Sequence, residues 1–304
     1  MKSVRILISM ILALALCLSA VALAAPTEDR AGNAIELPEA IESIVSLAPS
    51  ITQVVIELGL EDKLVAVDPY AVQYEPQLAD LPQFDMMTPD AEQLAAMEPD
   101  VIFVSGMSYV ETDDPFQALI AMGIPVVVIP SSESIQGVKD DILFIGECLG
   151  VKEEAEAIVA EMTAKIDEIS AIGNAITEKK SVLFEVAALP SIYTFGSGTY
   201  LNEIIELVGA ENVFADQQGW ISISEEDAVA SNPDVILTSV DYIDDPVAEI
   251  LNRTGWQAVS AVANQQVYRI DSESSGLPNH HIVEAMAEMA KAIYPEAYEA
   301  LTAE

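Results

Sequence analysis

The sequence predicts an α/β protein of two similar lobes, each with a mostly parallel sheet flanked by helices, joined by one long rigid α-helix. Two features of the sequence predict this arrangement. One short pattern occurs twice, and the segment between the two copies has helical character almost throughout. Strands and helices alternate within each copy, and this order favours parallel sheets because parallel strands are usually joined by helical crossovers.

The repeated pattern is clearest in residues 92–103 (EQLAAMEPDVIF) and 226–237 (EDAVASNPDVIL). In each copy a Glu opens a short helical segment, and a Pro-Asp pair then leads into a β-branched apolar strand. A looser pair lies upstream, at residues 48–68 and 197–216, where a small-residue turn precedes an amphipathic helix, a Gly and an extended segment. Such internal similarity indicates two copies of one α/β unit.

The individual elements follow from apolar periodicity and from the turn residues that flank each run. In the first copy we expect strands near 43–47, 64–68, 101–105 and 125–129, and helices near 50–59, 90–97 and 115–123. In the second copy we expect strands near 181–187, 234–238 and 267–270, and helices near 200–208, 225–231 and 279–293.

The segment between the copies, residues 137–176, is broken only near Gly150, and from Lys152 onward apolar residues recur at helical spacing. A helix of about 20 residues is roughly 30 Å long, enough to reach from one lobe to the other. Two lobes joined by one stiff helix should move little relative to each other. We therefore divide the chain into a first lobe (25–136), this inter-lobe segment and a second lobe (177–304).

Residues 1–24 have the features of a signal peptide. Lys2 and Arg5 precede an apolar run, and small residues close the segment at Ala24. Cys17 within the apolar run leaves lipidation open. We expect an exported protein, in the periplasm or at the outer face of the cytoplasmic membrane.

The charge of the chain excludes some classes of partner. The sequence has 12 Lys and Arg against 50 Asp and Glu, a formal net charge of −38. A surface this acidic repels nucleic acids and anionic lipid head groups, so we expect no nucleic-acid partner. Beyond the predicted signal peptide Cys148 is the single cysteine, which rules out an intramolecular disulfide and favours a buried thiol.

Seven segments, in order, resemble the substrate-binding proteins of ABC importers for iron–siderophores, haem and cobalamin, the group with one long inter-lobe helix. The resemblance runs from about Asp29 to Tyr298. The segments are DRAGNAIELP (29–38), IVSLAPSIT (44–52), EPDVIF (98–103), GIPVVVIP (123–130), FGSGTYLNEIIELVGAENVFAD (195–216), NPDVIL (232–237) and IVEAMAEMAKAIYPEAY (282–298). The resemblance implies a monomeric, non-enzymatic protein that captures a small metal-organic complex and delivers it to a permease dimer with its ATPase.

The resemblance also gives the repeated glutamates a role. In this family one Glu on the outer face of each lobe pairs with an Arg of the permease, and the matching positions here are Glu92 and Glu226. Exposed carboxylates on rigid short helices can steer and orient docking. The alternative is that they are ordinary surface residues of an acidic protein.

Ligands of open parallel α/β sheets bind beyond the carboxyl ends of the strands. The loops expected there carry aromatic and thioether side chains, and two more aromatics are expected in nearby loops of the second lobe. The first set is Tyr70, Met107, Tyr109, Tyr193 and Tyr242, and the second is Tyr200 and Trp220. Cobalamin-binding relatives carry a cleft Trp near the position of Trp220. Such a cleft suits a large, flat, partly apolar ligand, although each residue could instead pack in the core.

His280 and His281 are the only histidines of the chain. A neutral imidazole could serve as an axial ligand to haem iron or to the cobalt of a corrinoid. The alternative is a helix cap or a surface position. The family usually has Pro-Arg here. Two adjacent histidines do not make a zinc or manganese site, which needs separated ligands, so we expect no metal bound directly by the protein.

The scarcity of cations restricts the ligand further. Family members that bind trianionic catecholate siderophores use clusters of Arg and Lys, whereas here Arg253 is the one cation expected near a cleft loop. A highly anionic ligand is therefore disfavoured. Cobalamin or another corrinoid, haem and a hydroxamate-type iron complex remain. The alternative from another class is a chelatase-like enzyme that inserts metal into tetrapyrroles, since such enzymes also pair two α/β lobes.

Overall fold

A computed structural model describes residues 25–108 and 115–301 of the chain. The predicted signal peptide and Tyr109 lie outside these residues. The first lobe contains a sheet in the order β2-β1-β3-β4, in which every pairing is parallel. Its strands are β1 (Ile44–Leu47), β2 (Leu64–Val67), β3 (Val101–Ser105) and β4 (Val126–Ile129). All four agree with the strands expected from the sequence.

Helices follow the strands of this sheet: α1 (Pro49–Glu57), α2 (Pro69–Tyr74), α3 (Ala91–Ala96) and α4 (Gln117–Ala121). Both α1 and α2 begin with a proline, whose fixed φ suits the first helical turn. The sequence-based assignment missed α2. The Asp68 side chain caps that helix by accepting a hydrogen bond from the Tyr70 backbone N–H at 2.8 Å.

Two helices follow the first sheet and precede the second along the chain, α5 (Ile135–Leu149) and α6 (Lys152–Gly173). Gly150 separates them in the left-handed conformation (φ 74°), which commonly ends a helix. This agrees with the break expected near that residue. The 22 residues of α6 match the length predicted for the inter-lobe helix. Its rigidity and the exact lobe boundaries stay predictions. Among the described residues, no helix combines the length and apolar character needed to cross a bilayer.

The second lobe repeats the parallel sheet, in the order β10-β9-β5-β7, and adds an antiparallel two-stranded ribbon, β6–β8. The strands are β5 (Ser181–Glu185), β6 (Ile192–Phe195), β7 (Glu211–Asn212), β8 (Trp220–Ile223), β9 (Val235–Thr238) and β10 (Val267–Arg269). The sequence predicts β5, β9 and β10, but it predicts neither the two-residue strand β7 nor the ribbon. Its strands are four residues long and far apart in sequence, so local periodicity does not reveal their pairing.

The helices of the second lobe are α7 (Tyr200–Leu207), α8 (Glu225–Ser231), α9 (Pro246–Leu251), α10 (Ser260–Ala263), α11 (Ser272–Gly276) and α12 (Ile282–Ile293). Helix α6 packs against α5 on one side and against α7 and α12 on the other. One apolar core cluster runs from the first sheet through α5 and α6 into the second sheet. The opposite face of each sheet has a cluster of its own, so both sheets are covered on both faces, as parallel sheets generally are.

The two Pro-Asp copies make the same contacts in their lobes. The Asp100 carboxylate accepts hydrogen bonds from the backbone N–H (2.9 Å) and hydroxyl (3.0 Å) of Ser43. The Asp234 carboxylate accepts the equivalent pair from Ser181, at 2.9 and 2.8 Å. Each aspartate thereby ties the strand that it precedes to the start of the neighbouring first strand of the lobe. The internal duplication predicted from the sequence is confirmed.

Candidate functional site

A cavity of 670 Å³ lies where the carboxyl ends of the first-lobe strands face the second lobe. The first lobe contributes residues from α1, α2 and the loops after β2, β3 and β4, and helix α5 between the lobes adds three more. The second lobe contributes Tyr200, Trp220 and residues 276–278. Its position and volume are those of a small-molecule site, which typically occupies a cleft of about 300–1,000 Å³.

The first-lobe side of the cavity is rich in large apolar side chains. Tyr70 and Met107 line it, as predicted, and both are largely exposed. Tyr70 belongs to the first turn of α2 rather than to a loop. Met86 and Met87 also line the cavity. The sequence does not predict that these methionines line the cavity, because their segment shows neither helical nor strand periodicity.

The second-lobe side is built around Trp220, the first residue of β8, which is 42% exposed. The ring of Tyr193 stacks on it at 6.1 Å and 9°, and the rings of Phe195 and Tyr200 meet it edge-on at 5.7 and 6.4 Å. The Tyr200 hydroxyl donates to the Ser275 carbonyl at 2.7 Å, and burial raises its pKa. The expectation that Tyr200 and Trp220 lie in loops is wrong: one opens a helix and the other opens a strand.

In the part of the chain that the structure describes, neither Tyr193 nor Tyr242 belongs to the cavity lining. Tyr193 lies in β6 rather than in a loop, and it reaches the cavity only through Trp220. Tyr242 follows β9, as expected, and is 66% exposed. Its hydroxyl accepts a hydrogen bond from the Ala188 backbone N–H at 2.8 Å, which holds the loop after β5.

The two histidines lie where the second lobe meets α1, and neither is among the described residues that line the cavity. His280 Nε2 is 3.9 Å from a carboxylate oxygen of Glu57. Its buried Nδ1 has no partner among the described residues. Burial, together with His281, lowers the pKa of His280 to about 3, so its imidazole is neutral at physiological pH. His281 occupies the cap position of α12, where its Nδ1 is 2.9 Å from Glu284.

Arg253 is not available to a ligand, and the prediction that placed it near a cleft loop as a usable cation is wrong. Its side chain is buried, and its guanidinium binds both carboxylate oxygens of Glu185 at 2.6 and 2.8 Å. It also donates to Glu249. Although burial lowers the pKa of Arg253, the hydrogen bonds with Glu185 and Glu249 outweigh that effect and raise it.

The charged groups of the cavity are acidic. Asp85, Glu133 and Asp141 belong to the lining, and none of the described lining residues is Lys or Arg. Burial raises the pKa of Asp141, against the opposing hydrogen bonds from Ser132 (2.5 Å) and Arg30 (2.7 Å). The cavity is therefore unsuited to a strongly anionic ligand.

Hydrogen bonds also hold the two lobes together. Gln53 of α1 accepts from the Asn279 side-chain amide of the second lobe at 2.6 Å. Its own amide donates to Glu75 at 3.1 Å and, across the lobe boundary, to Glu273. Gln53 and Asn279 are both buried, so these bonds are shielded from water. They fix the relative position of the lobes beside the cavity.

The two glutamates that the resemblance assigns to docking occupy equivalent places. Glu92 is the second residue of α3 and Glu226 the second residue of α8, and both are exposed. The helices are capped by Asp90 and Ser224, whose side chains accept backbone N–H groups of the first turn. Neither glutamate lines the cavity, which leaves both available to a partner.

Comparison with known proteins agrees with this architecture. The family described as "Periplasmic binding protein" matches residues 44–274. YvrC of Bacillus subtilis, an uncharacterized ABC transporter substrate-binding lipoprotein, is 30% identical over 273 residues, covering 89% of this chain and 86% of YvrC. A cobalamin-binding protein of Halobacterium salinarum is 29% identical over 276 residues, covering 88% of this chain and 73% of that protein.

Among solved structures, the molybdate-bound periplasmic binding protein MolA of Haemophilus influenzae superposes with a TM-score of 0.78 at 24% identity. The match covers 91% of this chain and 93% of MolA. At that identity the likeness concerns the fold, and it confirms the two-lobed α/β class predicted from the sequence.

Proposed function

This chain belongs to the periplasmic binding protein family, and we propose that it captures a corrinoid, such as cobalamin or cobinamide, between its lobes for an ABC importer. The observation that carries the proposal is the character of the cavity. Aromatic and thioether side chains line it together with carboxylates, and the described lining contains no Lys or Arg. A large, flat ligand without strong negative charge suits these walls.

The aromatic surface supports the same ligand class. Trp220 presents a partly exposed indole ring that Tyr193, Phe195 and Tyr200 hold in place. A ring already fixed by its neighbours loses little conformational entropy when a planar ligand packs on it. The cobalamin-binding relative from Halobacterium salinarum adds support from sequence. The metal complex is cargo, and we expect no resident cofactor.

Other ligands fit the cavity less well. Molybdate, the ligand of the MolA structure, is a small dianion that requires concentrated hydrogen-bond donors or cations. Ferric catecholates carry several negative charges, and the propionates of haem would bring negative charge into a cavity lined by Asp85 and Glu133. Haem is therefore the second choice, together with ferric hydroxamates, which are uncharged but present no large flat ring to the Trp220 surface. The chelatase alternative has no support from the relatives, which are binding proteins of transporters.

Delivery would depend on the two exposed glutamates. We propose that Glu92 and Glu226 dock on arginines of the permease dimer, one from each lobe, as the family resemblance implies. Their equivalent positions in α3 and α8 support this role, because two matched carboxylates on rigid helices define an orientation as well as an attraction.

A thermal-shift panel tests the ligand class. The protein is heated with cyanocobalamin, dicyanocobinamide, haemin, a ferric hydroxamate, a ferric catecholate and molybdate. A ligand at about 100 times its Kd stabilises the native state by about 2.7 kcal/mol, so true binders raise Tm clearly. We expect the corrinoids to give the largest shift. A shift with the catecholate or molybdate and none with the corrinoids would contradict the proposal.

A further inference from the structure

Each lobe joins a cavity-lining residue to its outward-facing glutamate through one short stretch of chain. In the first lobe, Met86 lines the cavity and Glu92 lies six residues later. In the second lobe, Trp220 lines the cavity and Glu226 also lies six residues later. We call residues 86–92 the first connector and residues 220–226 the second connector.

The cavity end of each connector is held in place. The Met86 backbone N–H donates to the buried Asp68 carboxylate at 3.1 Å, and the same carboxylate caps α2 through Tyr70. Burial raises the pKa of Asp68, against these hydrogen bonds. In the second lobe Trp220 is held by the aromatic stack that includes Tyr193.

The glutamate end of each connector is held by a helix cap. Asp90 accepts the Glu92 backbone N–H at 3.1 Å, and Ser224 accepts the Asp227 backbone N–H at 3.1 Å. In the second lobe a further contact anchors this end, since the Trp256 indole N–H donates to Glu225 at 2.9 Å. Between its two anchors the second connector is strand β8, paired with β6 along its length.

The middle of the first connector is a turn rather than a strand. Asp85 accepts the backbone N–H groups of Met87 (2.7 Å) and Thr88 (3.0 Å), and Pro89 follows. Both connectors are thus anchored at two ends, but the first depends on local turn hydrogen bonds and the second on a strand ladder. A displacement at the cavity end should therefore reach the glutamate end in both lobes.

We propose that the two connectors transmit occupancy of the cavity to the docking helices, so that a ligand in contact with Met86 and Trp220 restrains α3 and α8. This inference rests on the proposed function for the roles of the cavity and of the glutamates. It adds a mechanism by which the loaded protein presents Glu92 and Glu226 in a more uniform geometry than the empty protein. Fixing the two carboxylates beforehand lowers the ordering cost of docking.

Hydrogen exchange with and without cyanocobalamin tests the proposal. We expect the ligand to slow exchange in α3 and in α8, while α4, which no connector reaches, stays unchanged. The variant Thr88→Gly/Pro89→Gly loosens the first connector without altering any cavity-lining or docking residue. In that variant the slowing at α3 should be lost and the slowing at α8 retained. Equal slowing at α3 in variant and wild type, or no slowing at either helix in ligand-bound wild type, would overturn the proposal.

A second arm works without any ligand, so that failure of the proposed function can be told apart from failure of the connectors. The variant Met107→Cys places a thiol in the cavity, outside both connectors, for labelling with N-benzylmaleimide. Cys148 should not react, because burial raises the pKa of its thiol to about 12. We expect the bulky label to slow exchange in α3 and α8 even if no corrinoid binds. Unchanged exchange in both helices after complete labelling would contradict the proposal.

Discussion

The first strands of the two lobes end in different ways although they occupy equivalent places in their sheets. Strand β1 pairs with β3 from Ile44 opposite Val101, and β5 pairs with β9 from Val182 opposite Val235. The last residue of β1 is Leu47, and the last residue of β5 is Glu185. Both side chains are fully buried. One lobe thus has an apolar group where its copy has a buried charge.

The buried charge is compensated by the residues around it. Arg253 neutralises Glu185, Glu249 joins the pair, and the guanidinium lies 4.8 Å from the centre of the Trp256 ring. Trp256 in turn donates to Glu225, which precedes the proposed docking residue Glu226. The two lobes therefore stabilise the same backbone arrangement in two ways, one with apolar packing and the other with a network of ion pairs and hydrogen bonds. A buried pair adds little net stability over apolar residues, but it is costly to break.

The largest expected effect comes from breaking that pair. Arg253→Met should lower the free energy of unfolding by about 3–5 kcal/mol, because the buried Glu185 carboxyl group loses the partner that compensates its charge. The double variant Glu185→Leu/Arg253→Met, which copies the apolar end of β1, should recover most of that loss. Urea unfolding of both variants measures the difference. Lys152→Met, which breaks a partly exposed pair with Glu147, serves as the control and should cost less than about 1 kcal/mol.

If Arg253→Met and the double variant were equally stable, the two lobes would not differ in the way described. In that case the guanidinium would not be compensating a buried charge.

A smaller effect is expected from the Asp–Ser contact that occurs once in each lobe. Asp100→Ala should cost about 1–3 kcal/mol, since a charged acceptor of several hydrogen bonds is lost. Asp234→Ala should cost less because its carboxylate accepts fewer hydrogen bonds. The Asp234 carboxylate accepts two from Ser181, whereas the Asp100 carboxylate accepts two from Ser43 and one more from the Glu42 backbone N–H at 2.8 Å. Urea midpoints at neutral pH give the ranking. A larger cost for Asp234→Ala would reverse the comparison.

The free energy of unfolding should depend on pH through His280, which lies where the second lobe meets α1. Its pKa is about 3 in the native state and 6.5 in the unfolded chain, so below pH 6.5 the unfolded chain binds the extra proton. Stability should therefore fall as pH drops from 6.5 toward 3, by up to about 1.4 kcal/mol per pH unit from this group. Urea unfolding at pH 7 and pH 5 measures the slope.

His280→Gln should remove this contribution, whereas the matched variant His281→Gln should retain it because His280 stays buried. The same slope in all three proteins would show that His280 is not excluded from water as described.

The smallest effect on the stability of the protein is expected at the two glutamates proposed for docking. The double variant Glu92→Lys/Glu226→Lys should change the free energy of unfolding by less than about 0.5 kcal/mol and leave corrinoid affinity unchanged. Uptake through the importer should nevertheless be abolished, because the positive charges introduced at both positions would repel the arginines of the permease. Glu153→Lys/Glu154→Lys, a reversal in the first turn of α6, is the control. Loss of ligand affinity in the Glu92/Glu226 variant would contradict the docking assignment.

Much of the fold could be predicted because its signals are local. The strands of the first sheet are short apolar runs between turn residues. The two Pro-Asp copies indicate the internal duplication. Even the helix ends match, since Glu98 and Asn232 before the two prolines both adopt a left-handed conformation (φ 48° and 44°). Their side chains differ, so this likeness lies in the backbone and is invisible in the sequence.

The site could be predicted only in part because its contacts are non-local. Arg253 has an obvious partner four residues away, Glu249, but its principal partner Glu185 is 68 residues distant. The ribbon that carries Trp220 likewise depends on pairing with β6, across an intervening helix. Met86 and Met87 lie in a turn without periodicity. In each case tertiary contacts, rather than local preference, decide where the side chain goes.

The central claim is that the cavity between the lobes takes a corrinoid on the Trp220 surface, and isothermal titration calorimetry with cyanocobalamin tests it most directly. We expect one ligand per chain, with affinity weakened in Trp220→Ala and unchanged in Met122→Ala, which removes an equally apolar exposed side chain outside the described cavity lining. No heat of binding from either cyanocobalamin or dicyanocobinamide, or an affinity that is indifferent to Trp220→Ala, would contradict the account.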